Sequence, residues 1–129
     1  MNTAPRSNGT DPAELTSEAI QQLALDALNE SKAQDVVVLD VRDKTSITDT
    51  MIVASGSSSR HVKTLAERVA MAAKAAGLGP VRTEGERDAE WVLVDLTDVL
   101  VHVMLPKTRD FYNLEGLWAV GPGAERAPG

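Results

Sequence analysis

Two apolar, β-branched runs, WVLVDL and VLVHVML, stand only two residues apart, and this spacing constrains the fold more than any other feature. The runs span residues 91–96 and 99–105, and Thr97 and Asp98 separate them. Strand-like runs joined by so short a connection form a β-hairpin. An isolated hairpin is barely stable in water, so other elements must cover its apolar surface.

Alternation along the predicted hairpin gives its two faces different characters. One face is wholly apolar and is expected to be core; its members are Val92, Val94, Leu96, Val99, Val101 and Val103. The other face mixes aliphatic groups with an indole, an imidazole and a carboxylate; its members are Trp91, Leu93, Asp95, Leu100, His102 and Met104. This second face suits either the underside of a helix or a partner protein, since tryptophan and methionine are enriched at interface cores.

The clearest helical pattern covers residues 57–76, where apolar residues recur every three or four positions. The members of this stripe are Val62, Leu65, Ala66, Val69, Ala70, Ala73 and Ala76. Because the charged side chains fall outside the stripe, we expect this helix to pack on the apolar face of the hairpin. Gly77 is expected to end the helix, with Leu78 folding back on the last turn as in a Schellman motif.

The remaining segments complete an α/β domain. In chain order they are a helix over 16–31, strands over 36–41, 50–54 and 81–84, and a short helix over 108–118. The first two strands are close enough in sequence to be antiparallel neighbours. In the last helix, Phe111, Leu114 and Trp118 fall at helical spacing. The order α-β-β-α-β-β-β-α predicts a mixed β-sheet flanked by helices.

Composition limits the classes of function. The chain of 129 residues contains no cysteine, which excludes disulfides, thiol catalysis and cysteine-ligated zinc. Its net charge of −6 opposes a broad nucleic-acid-binding surface. We expect residues 1–15 and 119–129 to be disordered because they are small, polar and aperiodic, which leaves a domain over 16–118. The absence of an apolar leader or a membrane-length run predicts a soluble cytoplasmic protein.

The segment GSSSR at residues 56–60 precedes the amphipathic helix and resembles a phosphate-binding turn. Free N–H groups at a helix N-terminus, aided by Ser57, Ser58 and Arg60, can hold an anion. However, the glycine spacing of Walker and dinucleotide loops is absent, and no closely spaced carboxylates follow to hold a nucleotidyltransferase's magnesium. We therefore expect Ser57 or Ser58 to act as the helix cap, with Ser57, Ser58 and Arg60 as the candidate anion site.

No catalytic or metal centre is predicted. His61 and His102 are the only histidines, and their positions lack the H-E-x-x-H spacing of zinc enzymes. We expect His61 on the exposed first turn of its helix and His102 as a partly buried, hydrogen-bonded strand residue. No G-x-S-x-G elbow indicates a nucleophilic serine.

Three blocks of the sequence, SITDTMIVASGSSSRHV, EGERDAEWVLVDLTDVLVHVM and RDFYNLEGLW, resemble the signature blocks of the ribosomal silencing factor family (RsfS, Iojap-like). They occur in the family's order and spacing, and the resemblance as a whole covers about residues 16–118. The resemblance implies a fold related to nucleotidyltransferases but without their catalytic carboxylates.

The resemblance also implies a function. Family members bind the large ribosomal subunit through ribosomal protein L-fourteen, block joining of the small subunit and lower translation when nutrients are short. No catalysis, metal, nucleotide or other cofactor is implied. The family's contact residues fall on Trp91 and Leu96, which alternation places on opposite faces. By proximity we add Leu93, His102 and Met104 as partner-binding candidates.

Two alternatives stay open at this stage. One is a nucleotide-binding or nucleotidyltransferase-like enzyme that uses the turn Gly56–Arg60. The other is a homodimer that pairs through the second face of the hairpin, so the protein is expected to be a monomer or a homodimer.

The turn at Thr97 and Asp98 is unusual, because Gly-Asp would adopt a two-residue turn more easily.

Overall fold

The computed structural model describes residues 15–118, which form one five-stranded mixed sheet flanked by helices. The elements are α1 (Ser17–Glu30), β1 (Gln34–Asp40), β2 (Thr50–Ser55), α2 (Ser59–Ala75), β3 (Arg82–Glu84), β4 (Trp91–Asp95), β5 (Val99–Met104), α3 (Pro106–Tyr112) and α4 (Leu114–Trp118). The predicted fold class is confirmed. The disorder predicted for residues 1–15 and 119–129 lies outside the described residues except at Leu15, which packs against the core. The domain boundaries stay a prediction.

The strand order is β1-β2-β5-β4-β3. The β1–β2 and β4–β5 pairs are antiparallel, as predicted, and β2 runs parallel to β5 in the centre of the sheet. The hairpin turn closes where the Leu96 N–H donates to the Val99 carbonyl oxygen at 2.9 Å. Thr97 adopts a left-handed backbone with φ of 74°, and its N–H donates to Asp95 Oδ1 at 2.8 Å. Asp95 therefore stabilises a turn that lacks the usual glycine.

Helices α1 and α2 cover one face of the sheet, which we call the helix face. The six apolar hairpin side chains predicted to be core are all 0% exposed and pack there: Val92, Val94, Leu96, Val99, Val101 and Val103. The stripe of α2 is buried against them except for Ala76, which is the exposed C-cap. The predicted Schellman motif is confirmed, because the Leu78 N–H donates to the Ala73 carbonyl and the Gly77 N–H to the Lys74 carbonyl.

The opposite side of the sheet, which we call the second face, is covered by the C-terminal helices. The prediction of one helix over 108–118 is wrong: α3 begins at Pro106, and Asn113, with φ of 48° and ψ of 50°, separates it from α4. Phe111 is therefore not in helical register with Leu114. It is 79% exposed, whereas Leu114 packs against the second face. Within residues 15–118, no helix is both long and apolar enough to cross a membrane.

Candidate partner-binding surface

Four rings form a continuous row from the buried second face of the sheet to the outer surface of α3. The ring centroids of His102 and Trp91 are 5.9 Å apart, those of Trp91 and Tyr112 are 5.0 Å apart, and those of Tyr112 and Phe111 are 4.9 Å apart. We call His102, Trp91, Tyr112 and Phe111 the aromatic row. Exposure rises along it, from 7% at His102 through half-buried Trp91 to 57% at Tyr112 and 79% at Phe111.

The buried end of the aromatic row is fixed by a hydrogen bond. The Trp91 indole N–H donates to His102 Nδ1 at 3.0 Å. Burial lowers the pKa of His102 from 6.5 to about 4, so the ring is neutral near pH 7 and its hydrogen lies on Nε2. Nε2 is buried without a hydrogen-bond partner in the described part of the chain. The neutral imidazole therefore acts as an acceptor that holds the indole in one orientation.

A buried ion pair attaches α3 and α4 to the sheet. Arg109 Nε donates to Glu115 Oε1 at 2.7 Å, and Arg109 Nη2 donates to Glu115 Oε2 at 2.9 Å. Arg109 Nη1 also donates to Ser55 Oγ, at the end of β2, at 2.8 Å. A bidentate pair of this kind is rigid. Because Tyr112 and Phe111 belong to the same helix as Arg109, the ion pair positions the outer half of the aromatic row.

A pocket of about 190 Å³ opens beside the middle of the aromatic row. Its lining residues are Gly85, Asp88, Glu90, Trp91, Thr108 and Tyr112. Gly85 has φ of +93°, and a Cβ built on it would lie 2.2 Å from the Trp91 carbonyl oxygen. Only glycine therefore lets the loop over residues 85–90 lie this close to Trp91.

The five predicted partner-binding residues differ in accessibility. Trp91 and Leu93 are half-buried, and His102 is buried. Leu96 and Met104 are 0% exposed. Met104 lies opposite Trp91 in the β4–β5 pairing and supports it from beneath, whereas Leu96 lies on the helix face. In this conformation neither Leu96 nor Met104 presents its side chain to a partner, so any contribution they make to binding is indirect.

Residue spacing in the sequence did not indicate Tyr112 and Phe111 as surface residues. One continuous helix through residue 113, as predicted from the sequence, puts Phe111 at helical spacing with Leu114 and Trp118. The available signal was Asn113 itself, since asparagine tolerates the left-handed conformation that ends a helix. Asp88 and Glu90 were also missed, because their proximity to Tyr112 depends on tertiary packing.

The GSSSR turn is explained by contacts within the protein. Ser58 Oγ accepts the His61 N–H at 3.1 Å, so Ser58 is the N-cap, one of the two caps predicted. The Ser57 N–H donates to His61 Nδ1 at 2.9 Å, and His61 Nε2 lies 2.8 Å from the Ser31 carbonyl oxygen that follows α1. A Cβ on Gly56 would lie 2.8 Å from the Val62 nitrogen, so close packing explains the glycine. Arg60 is exposed.

Among residues 15–118, no group of three or more His, Asp or Glu side chains is arranged to hold a metal ion. Residues 15–118 thus form a small α/β domain with an aromatic row and an acid-lined pocket at one end of its sheet.

The chain belongs to the ribosomal silencing factor family. The family described as "Ribosomal silencing factor during starvation" matches residues 14–128. A ribosomal silencing factor RsfS of Chromobacterium violaceum is 48% identical over 101 residues, which cover 78% of this chain and 83% of that protein. The RsfS of Zymomonas mobilis is 36% identical over 126 residues, covering 96% of this chain and 91% of that protein.

Two further matches extend the comparison. The mouse protein "Mitochondrial assembly of ribosomal large subunit protein 1" is 31% identical over 96 residues, covering 72% of this chain and 42% of the mouse protein. A crystal structure of a Chromobacterium violaceum protein superposes with a TM-score of 0.79 at 46% identity, covering 88% of this chain and 94% of the other. The resemblance proposed from the three sequence blocks is therefore confirmed at the level of the family.

Proposed function

We propose that this protein binds the large ribosomal subunit through ribosomal protein L-fourteen and thereby prevents the small subunit from joining. The mechanism is steric, because one surface of the large subunit cannot contact both partners at once. In this role the protein represses translation under nutrient limitation. It is not an enzyme, needs no cofactor and acts in the cytoplasm, as a monomer or a homodimer.

The observation that carries this proposal is the aromatic row. The chain contains only two tryptophans, one tyrosine and one phenylalanine, and three of these four residues lie in the row. Tryptophan and tyrosine are enriched among the residues that dominate binding energy at protein interfaces. The bond from Trp91 to His102 holds the indole in place before binding, which lowers the entropic cost of association.

Two other facts support a ribosomal partner. The family name denotes a ribosomal silencing factor, and the mouse relative's name refers to the large subunit. The net charge of −6 suits a basic ribosomal protein and should accelerate association, most strongly at low salt.

The direct test is sedimentation of purified ribosomal subunits, mixed under joining conditions with and without the protein. We expect free subunits to persist and the protein to travel with the large subunit. If the subunits join as usual and the protein stays at the top of the gradient, the proposed function is wrong.

The surface is tested by Trp91→Ala, which should weaken binding to the large subunit by about 2 kcal/mol or more, roughly thirtyfold. Circular dichroism should show a retained fold. The matched control is Met71→Ala, because Met71 is a large apolar side chain that is 62% exposed on α2, away from the aromatic row. Normal binding by a folded Trp91→Ala protein would show that the row is not the contact surface.

A further inference from the structure

We propose that the pocket beside Trp91 receives one cationic side chain, a lysine or an arginine, from the protein partner. We call this pocket the cation pocket and define it by Gly85, Asp88, Glu90, Trp91, Thr108 and Tyr112. The inference rests on the proposed function, because it assigns the chemistry of one contact within that interface.

The walls of the cation pocket carry the groups that attract a cation. Trp91 and Tyr112 line it with two aromatic rings whose centroids are 5.0 Å apart and whose planes are tilted by 49°. Lysine and arginine are attracted to the faces of such rings, and the attraction strengthens when water is excluded. Trp91 is half-buried and Tyr112 is 57% exposed, so a side chain of a partner can reach the rings from solvent.

The charge of the pocket has one sign. Asp88 and Glu90 are its two charged lining residues, and both are exposed carboxylates. Three cations adjoin lining residues in sequence, and none of them lines the pocket: Arg87 and Lys107 are exposed, and Arg109 is buried in its ion pair with Glu115. An anionic ligand such as a nucleic-acid phosphate would therefore be repelled, whereas a basic side chain would be attracted.

The size of the pocket also selects its occupant. Its volume of about 190 Å³ lies below the roughly 300–1,000 Å³ of pockets that hold drug-sized ligands. One extended side chain fits this space, and its aliphatic stem can lie on the rings while its charged head reaches the carboxylates. The pocket therefore adds a charged contact to the aromatic surface without requiring a separate ligand.

The first experiment neutralises the carboxylates and measures the affinity of the full-length protein for purified large subunits over a range of salt concentrations. The double variant Asp88→Asn, Glu90→Gln should bind roughly threefold to tenfold more weakly at low salt, because exposed charge pairs contribute modestly. Its affinity should also depend less on salt than that of the wild type. The control is Asp43→Asn, Glu67→Gln, which removes the same charge from exposed sites in the β1–β2 loop and on α2.

The second experiment alters the ring. Tyr112→Leu keeps an apolar side chain and removes the π-face, whereas Tyr112→Phe keeps the ring and removes only the hydroxyl. We expect Tyr112→Leu to lose roughly threefold to tenfold in affinity and Tyr112→Phe to bind like the wild type.

The outcomes separate this inference from the proposed function. If the wild type binds and Trp91→Ala does not, but the carboxylate variant and Tyr112→Leu bind normally with unchanged salt dependence, the cation pocket is wrong and the function stands. If neutralising Asp88 and Glu90 strengthens binding beyond the control, the pocket faces ribosomal RNA phosphates and the inference is again overturned. If the wild type does not bind large subunits at all, the proposed function fails, and the inference that rests on it fails with it.

Discussion

The helix face and the second face of the sheet share the same hairpin, but they differ in what covers them. On the helix face, α1 and α2 bury aliphatic side chains against one another in a continuous apolar core. On the second face, the short helices α3 and α4 cover a smaller apolar cluster. Around that cluster lie polar groups, namely the Arg109–Glu115 pair, Ser55 and His102.

This difference separates the apolar core from the proposed binding surface. Burial of aliphatic groups is non-directional and needs no polar partner, so the larger apolar core of the helix face contributes more hydrophobic stabilisation than the second face. The second face uses directional bonds, which hold side chains in defined orientations but add less net stability. Its polar groups fix the aromatic row from two sides, through His102 at the buried end and through Arg109 at the helix end.

The largest expected effect comes from breaking the buried ion pair of the second face. Glu115→Gln keeps the shape of the side chain but leaves the Arg109 guanidinium buried without its counter-charge. Removing one partner of a buried pair costs about 3–5 kcal/mol, and we expect a loss of that size in urea unfolding. The double variant Arg109→Met, Glu115→Leu should recover most of the lost stability. Equal destabilisation by the single and double variants would mean that the pair does not act through charge.

Leu96→Ala tests whether the helix face contributes to stability alone. Leu96 is 0% exposed in the core beneath α2, and truncation of such a leucine costs about 2–5 kcal/mol in unfolding free energy. At a temperature where the variant is folded, its affinity for the large subunit should equal that of the wild type. A stable variant with lost binding would show that Leu96 contributes to binding, by direct contact or by shaping the hairpin, and would contradict the separation of the two faces.

The success of sequence reasoning also differs between the faces. Alternation along the hairpin predicted the buried set correctly, from Val92 to Val103, because strand periodicity depends only on local geometry. The second face depends on Asn113, whose left-handed backbone brings Arg109 and Glu115 together although they are six residues apart. No helical or strand period brings such residues together, so the pair and the exposure of Phe111 could not be read from spacing. The parallel pairing of β2 with β5 likewise lacked a local signal.

A change of pH should act on the second face through His102. Burial lowers its pKa from 6.5 to about 4, so the unfolded chain takes up a proton at a higher pH than the folded protein. The contribution of His102 to the free energy of unfolding is therefore at its maximum above pH 6.5 and decreases as the pH falls toward 4. Linkage predicts a loss of about 2 kcal/mol from this residue between about pH 7.5 and about pH 5. Urea unfolding at the two pH values measures it.

The control for this pH effect is His102→Gln, which retains an acceptor for the Trp91 indole but does not titrate. Its stability should depend less on pH than that of the wild type, by the same amount. Because the two proteins differ only at residue 102, every other contribution to the pH dependence cancels in the difference. Identical pH profiles for the two proteins would show that His102 is not the residue responsible.

The smallest effect is expected on the helix side of the molecule, at the turn that first resembled a phosphate site. Ser58→Ala removes the side-chain oxygen that accepts the His61 N–H and should cost about 1 kcal/mol of unfolding free energy. Because this cap lies at the start of α2 and the proposed binding surface lies on the second face, large-subunit binding should not change.

Thermal melts with magnesium and a nucleotide at millimolar concentration test the nucleotide-binding alternative at the same turn, since a ligand of the folded state raises the melting temperature. A nucleotide-dependent rise in the wild type that Ser58→Ala abolishes would favour the nucleotide-binding alternative, because a cap that serves only the helix gives no such rise.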